Sequence, residues 1–176
     1  MPSEVSDITR VISLNMLGVT INHNLSMLEH VNSLVSACGQ NLYALKVLKA
    51  HGLSGESLCD VCHATLVAKL TYASPAWQGY ATSLELARLQ AVLGKAQRWG
   101  VYSSSAPDLD TIINSADRTL FSNILGNSQH VLHNQLPAVK TLTHNLRVRP
   151  HDRVLPTKTA ASERNFLARM LFQNIF

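Results

Sequence analysis

The stretch Tyr72-Ala73-Ser74-Pro75-Ala76-Trp77 lies between two runs of helical spacing, and its reading decides the architecture. Before it, Leu58, Cys62, Leu66 and Leu70 recur every four residues, with Val61 and Ala73 beside them and Ser54 as the N-cap. Pro75 ends that helix, because proline has no amide donor and its ring clashes with the preceding turn. After the stretch, Thr82 and Glu85 have the spacing of a capping box. Leu86, Leu89, Leu93 and Ala96 then form the apolar face of a helix that ends near Trp99, with Arg88, Lys95 and Arg98 on the other side.

Upstream, Ser26 and Glu29 have the same capping-box spacing. Leu28, Val31, Val35, Cys38, Leu42 and Leu45 follow at intervals of three and four, a seam widened by Leu34 and Leu48. Gly52 is the stop, and Lys46 and Lys49 suit the negative end of the helix dipole. Residues 25–99 therefore predict three helices. The residues before them, 1–24, are rich in Val, Ile and Thr and predict one or two strands. Leu17-Gly-Val-Thr-Ile21 is the better strand, with a turn at Asn22-His-Asn24.

Gly100 to Pro107 is a linker by composition. Beyond it, residues 108–176 predict looser helical structure. A short helix is capped by Asp108 or Asp110 and runs through Ile113. Another spans Ala116 to Leu125 and breaks at Gly126-Asn127. A turn of helix covers His130 to Leu136, and a last short helix covers Glu163 to Phe172.

The chain has 176 residues, 46% of them hydrophobic and 15% charged, which suits a packed core and not a disordered polymer. The formal net charge of +4 is unevenly placed. From residue 138 onward, Lys140, Arg147, Arg149, Arg153, Lys158, Arg164 and Arg169 face only Asp152 and Glu163, a net +5 that leaves residues 1–137 at −1. A basic tail on a near-neutral body fits a polyanion partner. Three cysteines and no secretory leader predict an intracellular, reducing compartment (cytoplasm or nucleus). No apolar run reaches the length of about 18 residues that a membrane span needs.

Several groupings invite chemistry. Cys59-Asp-Val-Cys62-His63 matches a haem-attachment pattern, but it lies within an amphipathic helix with Cys62 on the apolar face, so core packing is the reading adopted. Zinc at the same residues is disfavoured, because neighbours on a helix point about 100° apart. His130 and His133 stand one helical turn apart, with His144 and His151 following, and read as hydrogen-bonded surface histidines. Asp108 and Asp110 follow the Ser-rich linker and read as helix caps. No phosphate-binding glycine loop or nucleophile elbow is present. The expectation is no cofactor, no metal site and no catalytic residue.

With these stretches in view, the chain from about Ile8 onward resembles the C-terminal end of a non-LTR (LINE-type) retrotransposon reverse transcriptase. Leu17–Ile21 is similar to the strand that closes the palm. The helix pair ending in Tyr72-Ala-Ser-Pro-Ala-Trp77 is similar to the thumb, and Leu89 to Trp99 to its next basic helix, with Gly94 where a further basic residue is expected. Ala116-Asp117, Leu120-Phe121, His130-Val-Leu-His133, Leu136-Pro137, Leu146-Arg-Val-Arg149 and Asn165 to Leu171 resemble the region that follows.

The resemblance implies a mainly α fold: a three-helix thumb-like bundle with a short N-terminal β segment and a loosely packed helical tail. It also implies a truncated, non-catalytic piece of an RNA-directed DNA polymerase, since the family's Tyr-x-Asp-Asp loop has no counterpart here. The partners implied are a template–primer duplex and the missing palm. Arg88, Lys95 and Arg98, then Arg147 and Arg149, are the residues expected on phosphates. The alternative reading is a helical module for protein interaction, or an inert one, with no nucleic-acid role.

Overall fold

A computed structural model describes residues 11–140 and 151–173. The fold is mainly helical, with one short antiparallel hairpin near the N-terminus. The chain divides into two compact units: residues 1–72 with 80–106, and residues 73–79 with 107–176.

The first unit begins with the hairpin of β1 (Ser13–Met16) and β2 (Val19–Asn22), in which Leu14 faces Ile21 and Asn15 faces Thr20. Leu17 and Gly18 form the turn, at φ of 50° and 83°. Two consecutive positive φ values are what a two-residue hairpin needs to match the right-handed twist of its strands. The expected strand over Leu17–Ile21 is therefore shortened, its first two residues being the turn.

Helix α1 (Leu28–Ala50) buries His30, Val31, Leu34, Cys38, Leu42 and Leu45. Leu28 and Leu48, expected in the seam, are 49% and 41% exposed, and Val35 is half-buried. The Ser26–Glu29 capping box does not form. Met27 is the N-cap, with no side-chain cap, and the Ser26 hydroxyl accepts only from the Leu28 amide. The reason lies just before it: Asn22 Oδ1 accepts from both Asn24 N and Ser26 N, so the hairpin's end sets the entry of the chain into α1.

The second helical stretch comprises α2 (Gly55–Cys62), a π-helical turn (His63–Val67) and α3 (Ala68–Thr71). Leu58, Cys62, Leu66 and Leu70 are all buried, as their spacing requires. A row taken every four residues drifts by about 40° per step on an ordinary α-helix. The wider π turn takes up that drift and keeps all four side chains on one line. Ser54 occupies the N-cap position but makes no side-chain cap.

Pro75 does not itself stop this helix. The break is at Tyr72 and Ala73, the latter left-handed at φ 51°, and Pro75 lies in the first turn of α4 (Ser74–Trp77), where its missing amide costs nothing. A 3-10 turn (Gln78–Tyr80) follows. Helix α5 (Ser83–Arg98) opens with the Thr82–Glu85 capping box and buries Glu85, Leu89, Val92, Leu93 and Ala96. Within the first unit, α1 runs out, α2–α3 returns and α5 runs out again, so the C-terminal ends of α1 and α5 meet.

In the second unit, α6 (Leu109–Gly126) is one continuous helix where two were expected. Asp108 caps it by accepting from the Thr111 amide at 2.9 Å. Asn114 bridges back to Asp110 through the position of the expected break. Leu109, Ile113, Asp117, Phe121 and Ile124 form its buried row, and α4 packs on the same helix. A 3-10 turn (His133–Gln135) lies where a turn of helix was expected. The expected last helix is split by Asn165 into α7 (Ala160–Arg164) and α8 (Phe166–Phe172). Phe121, Ile124, Leu136, Met170 and Leu171 form the core of this unit. Gly79 lies against the Arg164 carbonyl so closely that no Cβ fits.

Candidate nucleic-acid interface

The C-terminal ends of α1 and α5 carry Lys46, Lys49, Lys95 and Arg98, with Arg88 earlier on α5. Arg88 and Lys95 are seven residues apart on α5, nearly in line along its axis, with Arg98 a turn beyond. Arg88 is half-buried, whereas Lys95 and Arg98 are exposed. Lys95 Nζ stands 4.6 Å from the centroid of the Trp99 ring. Lys46 Nζ, from α1, stands 5.1 Å from the same ring. Both lie within cation–π range, worth about 0.5–1 kcal/mol each at exposed sites.

Lys49, one turn beyond Lys46, donates to the carbonyls of Trp99 at 2.8 Å and Gly100 at 3.2 Å. Those carbonyls end α5, so Lys49 offsets the negative pole of that helix. The same end closes on Gly100, at φ 62°, with Val101 N donating to Ala96 O, the pattern of a glycine-terminated helix whose next apolar residue is buried. A Cβ at Gly100 would lie 2.6 Å from Lys49 Nζ. Val101 and Tyr102 are both buried against this unit.

Lys46 and Lys49 were read from the sequence only as dipole partners. Their role at Trp99 depends on two helices 50 residues apart in sequence meeting at one end, which the spacing within either helix does not reveal. Among the described residues, the ion pairs are Lys158–Glu163 and Arg169–Asp117, so no carboxylate neutralises Lys46, Lys95, Arg88 or Arg98. An uncompensated cluster of this kind attracts phosphates, and the lysines already resting on Trp99 compete with a base for that ring. Arg147 and Arg149 lie outside the described residues.

The other candidate groups have local partners. Cys38 and Cys62 are buried, and burial pushes both thiols up to about 11. His133 Nδ1 lies 2.7 Å from the Ile124 carbonyl, and His130 Nδ1 accepts from the Leu132 amide. His151 bridges the Leu171 carbonyl and the Arg153 amide. Hydrogen bonds from Thr111 hold the Asp108 carboxyl below its usual range. Among the described residues, no three His, Cys, Asp or Glu side chains converge on a point that could hold a metal ion. None of the described helices is long and apolar enough to cross a membrane. No protein-family model, curated protein or solved structure matches the chain.

Proposed function

We propose that the chain is a non-catalytic, thumb-and-tail portion of a non-LTR retrotransposon RNA-directed DNA polymerase, acting inside the cell. It holds a template–primer duplex by its phosphates at Lys46, Lys95 and Arg98, with Arg88 behind them and Arg147 and Arg149 in the tail. The observation that carries this reading is the pair of lysines from two helices over Trp99, left without a carboxylate among the described residues. The ordered resemblance of the motifs supplies the parent family.

Binding of this kind falls steeply with salt, because each neutralised phosphate releases counterions. Fluorescence anisotropy with a labelled primer–template duplex tests it. Lys46→Ala/Lys95→Ala/Arg98→Ala is expected to flatten the plot of log K against log salt by a slope of about two to three. Equal affinity and equal slope for the two proteins would remove the assignment. Primer extension by the purified chain would refute the non-catalytic part.

The hairpin favours a second reading. Ile12, Leu14 and Met16 share one face and are 73%, 51% and 54% exposed. Val19 opposite Met16 is buried, so the exposed apolar part of this face is its β1 side, which fits a protein-docking module. Self-association in sedimentation, without duplex binding, would select this reading over the first.

A further inference from the structure

One face of the first unit's hairpin is polar, with Asn15 exposed and Thr20 half-buried. Asn15 and Thr20, opposite each other across the ladder, line a groove of about 440 Å³ together with residues of α1, the π turn and α3. That volume is ordinary for a small-molecule site. Ala37, Ala64 and Ala68 also line it, and their short side chains take up little of the space. Ala64 and Thr65 belong to the π turn, a distortion that recurs at binding sites because it displaces backbone and side chains from the helical register.

The hydrogen-bond inventory of the walls is specific. The Thr65 hydroxyl donates to Val61 O at 2.6 Å, which leaves its oxygen able to accept, and the Tyr72 hydroxyl donates to Leu17 O at 2.9 Å. Thr20 Oγ1 accepts from Asn15 Nδ2 at 3.4 Å and keeps its own proton to donate. The Ser33 hydroxyl and the Lys69 ammonium line the same groove. No Asp or Glu lines it, and Lys69 is its sole formal charge. Burial lowers the His30 pKa, which favours its neutral form, and His30 Nδ1 accepts from the Thr20 amide at 3.4 Å.

Donors at Lys69, Ser33 and Thr20 match an anion with several acceptor oxygens. The acceptor at Thr65 matches a hydroxyl group attached to it. We propose that this groove binds a hydroxylated phosphate monoester, either a sugar phosphate or a nucleoside monophosphate, with the phosphate toward Lys69, Ser33 and Thr20. The proposal does not depend on the nucleic-acid reading: the groove uses His30, Ser33 and Ala37 of α1, whereas Lys46 is near that helix's other end.

Calorimetric titration of the full chain tests it with four probes: ribose phosphate, adenosine monophosphate, adenosine and inorganic phosphate. Saturable binding is expected for one or both phosphate esters, with adenosine and inorganic phosphate weaker by about tenfold or more, the value of one charged hydrogen bond. Binding of both esters identifies a sugar-phosphate site, and of adenosine monophosphate alone a nucleotide site. Lys69→Ala is expected to weaken the ester by about tenfold. Lys69 is exposed and unpaired among the described residues, so that variant keeps the fold. Lys46→Ala/Lys95→Ala is expected to bind the ester as the parent does, which separates this site from the duplex-binding cluster. No ester binding at millimolar concentration, adenosine binding as tightly as its monophosphate, or an unchanged Lys69→Ala would each overturn the proposal.

Discussion

Arg169 donates from Nη1 to Asp117 Oδ2 at 3.0 Å, and the Asp117 side chain is only 1% exposed. Gln78 Nε2 donates to the same carboxylate oxygen. One acid thus joins α6, α8 and the turn after Trp77 within the second unit. Burial raises the Asp117 pKa, and it outweighs the attraction of Arg169 and the hydrogen bonds from Arg169 and Gln78, which pull it down. The folded state therefore holds this proton more tightly than the unfolded chain. The favourable contribution is complete below the unfolded value of 3.8 and is lost as pH rises through the higher folded value. Arg169→Met strands a buried carboxylate and is expected to cost about 3–5 kcal/mol near neutral pH. Acidification should shrink that penalty, because a protonated Asp117 no longer needs a cation. Urea unfolding of both proteins at neutral and mildly acid pH measures it, and a penalty that does not change with pH would contradict the account.

Thr82 starts α5 by accepting from the Glu85 amide at 3.3 Å, while Glu85 Oε2 accepts from the Thr82 amide at 2.7 Å. Thr82→Ala removes one half of this box and is expected to destabilise the first unit by about 1 kcal/mol. Thermal unfolding should show a loss for Thr82→Ala and no comparable loss for Ser54→Ala, since Ser54 makes no side-chain cap.

Leu17 is 86% exposed and held at positive φ beside Gly18. Leucine is poorly suited to that conformation, whereas Asn-Gly is the preferred pair for such a turn. Leu17→Asn is expected to stabilise the first unit by about 0.5–1 kcal/mol. A rise in the urea midpoint at an unchanged slope would bear this out.

The three thiols differ in reach. Cys59 is half-buried, while Cys38 and Cys62 are buried with their thiols pushed up to about 11. The thiolate is the reacting form, so a thiol-labelling reagent should modify Cys59 alone in the native protein. Mass spectrometry reads the sites, and all three should react once the chain is unfolded. Rapid native labelling of Cys62 would contradict its burial.

Much of the fold is written in short-range pattern. Leu58, Cys62, Leu66 and Leu70 mark a buried row, Thr82 and Glu85 mark a helix start, and Asp108 marks another, because each depends on neighbours within one or two turns. Tertiary structure decided what such patterns leave open. Ser26 and Glu29 have the same spacing as Thr82 and Glu85, yet no box forms, because Asn22 at the end of the hairpin already holds the Ser26 amide. Two expected helices become the single α6 because Asp117 and Ile113 are both buried in the same row. The meeting of Lys46 and Lys95 over Trp99, and of Arg169 with Asp117, joins residues about 50 apart in sequence. Local spacing sets which face of a helix is apolar, but which polar groups share a site depends on how the helices pack.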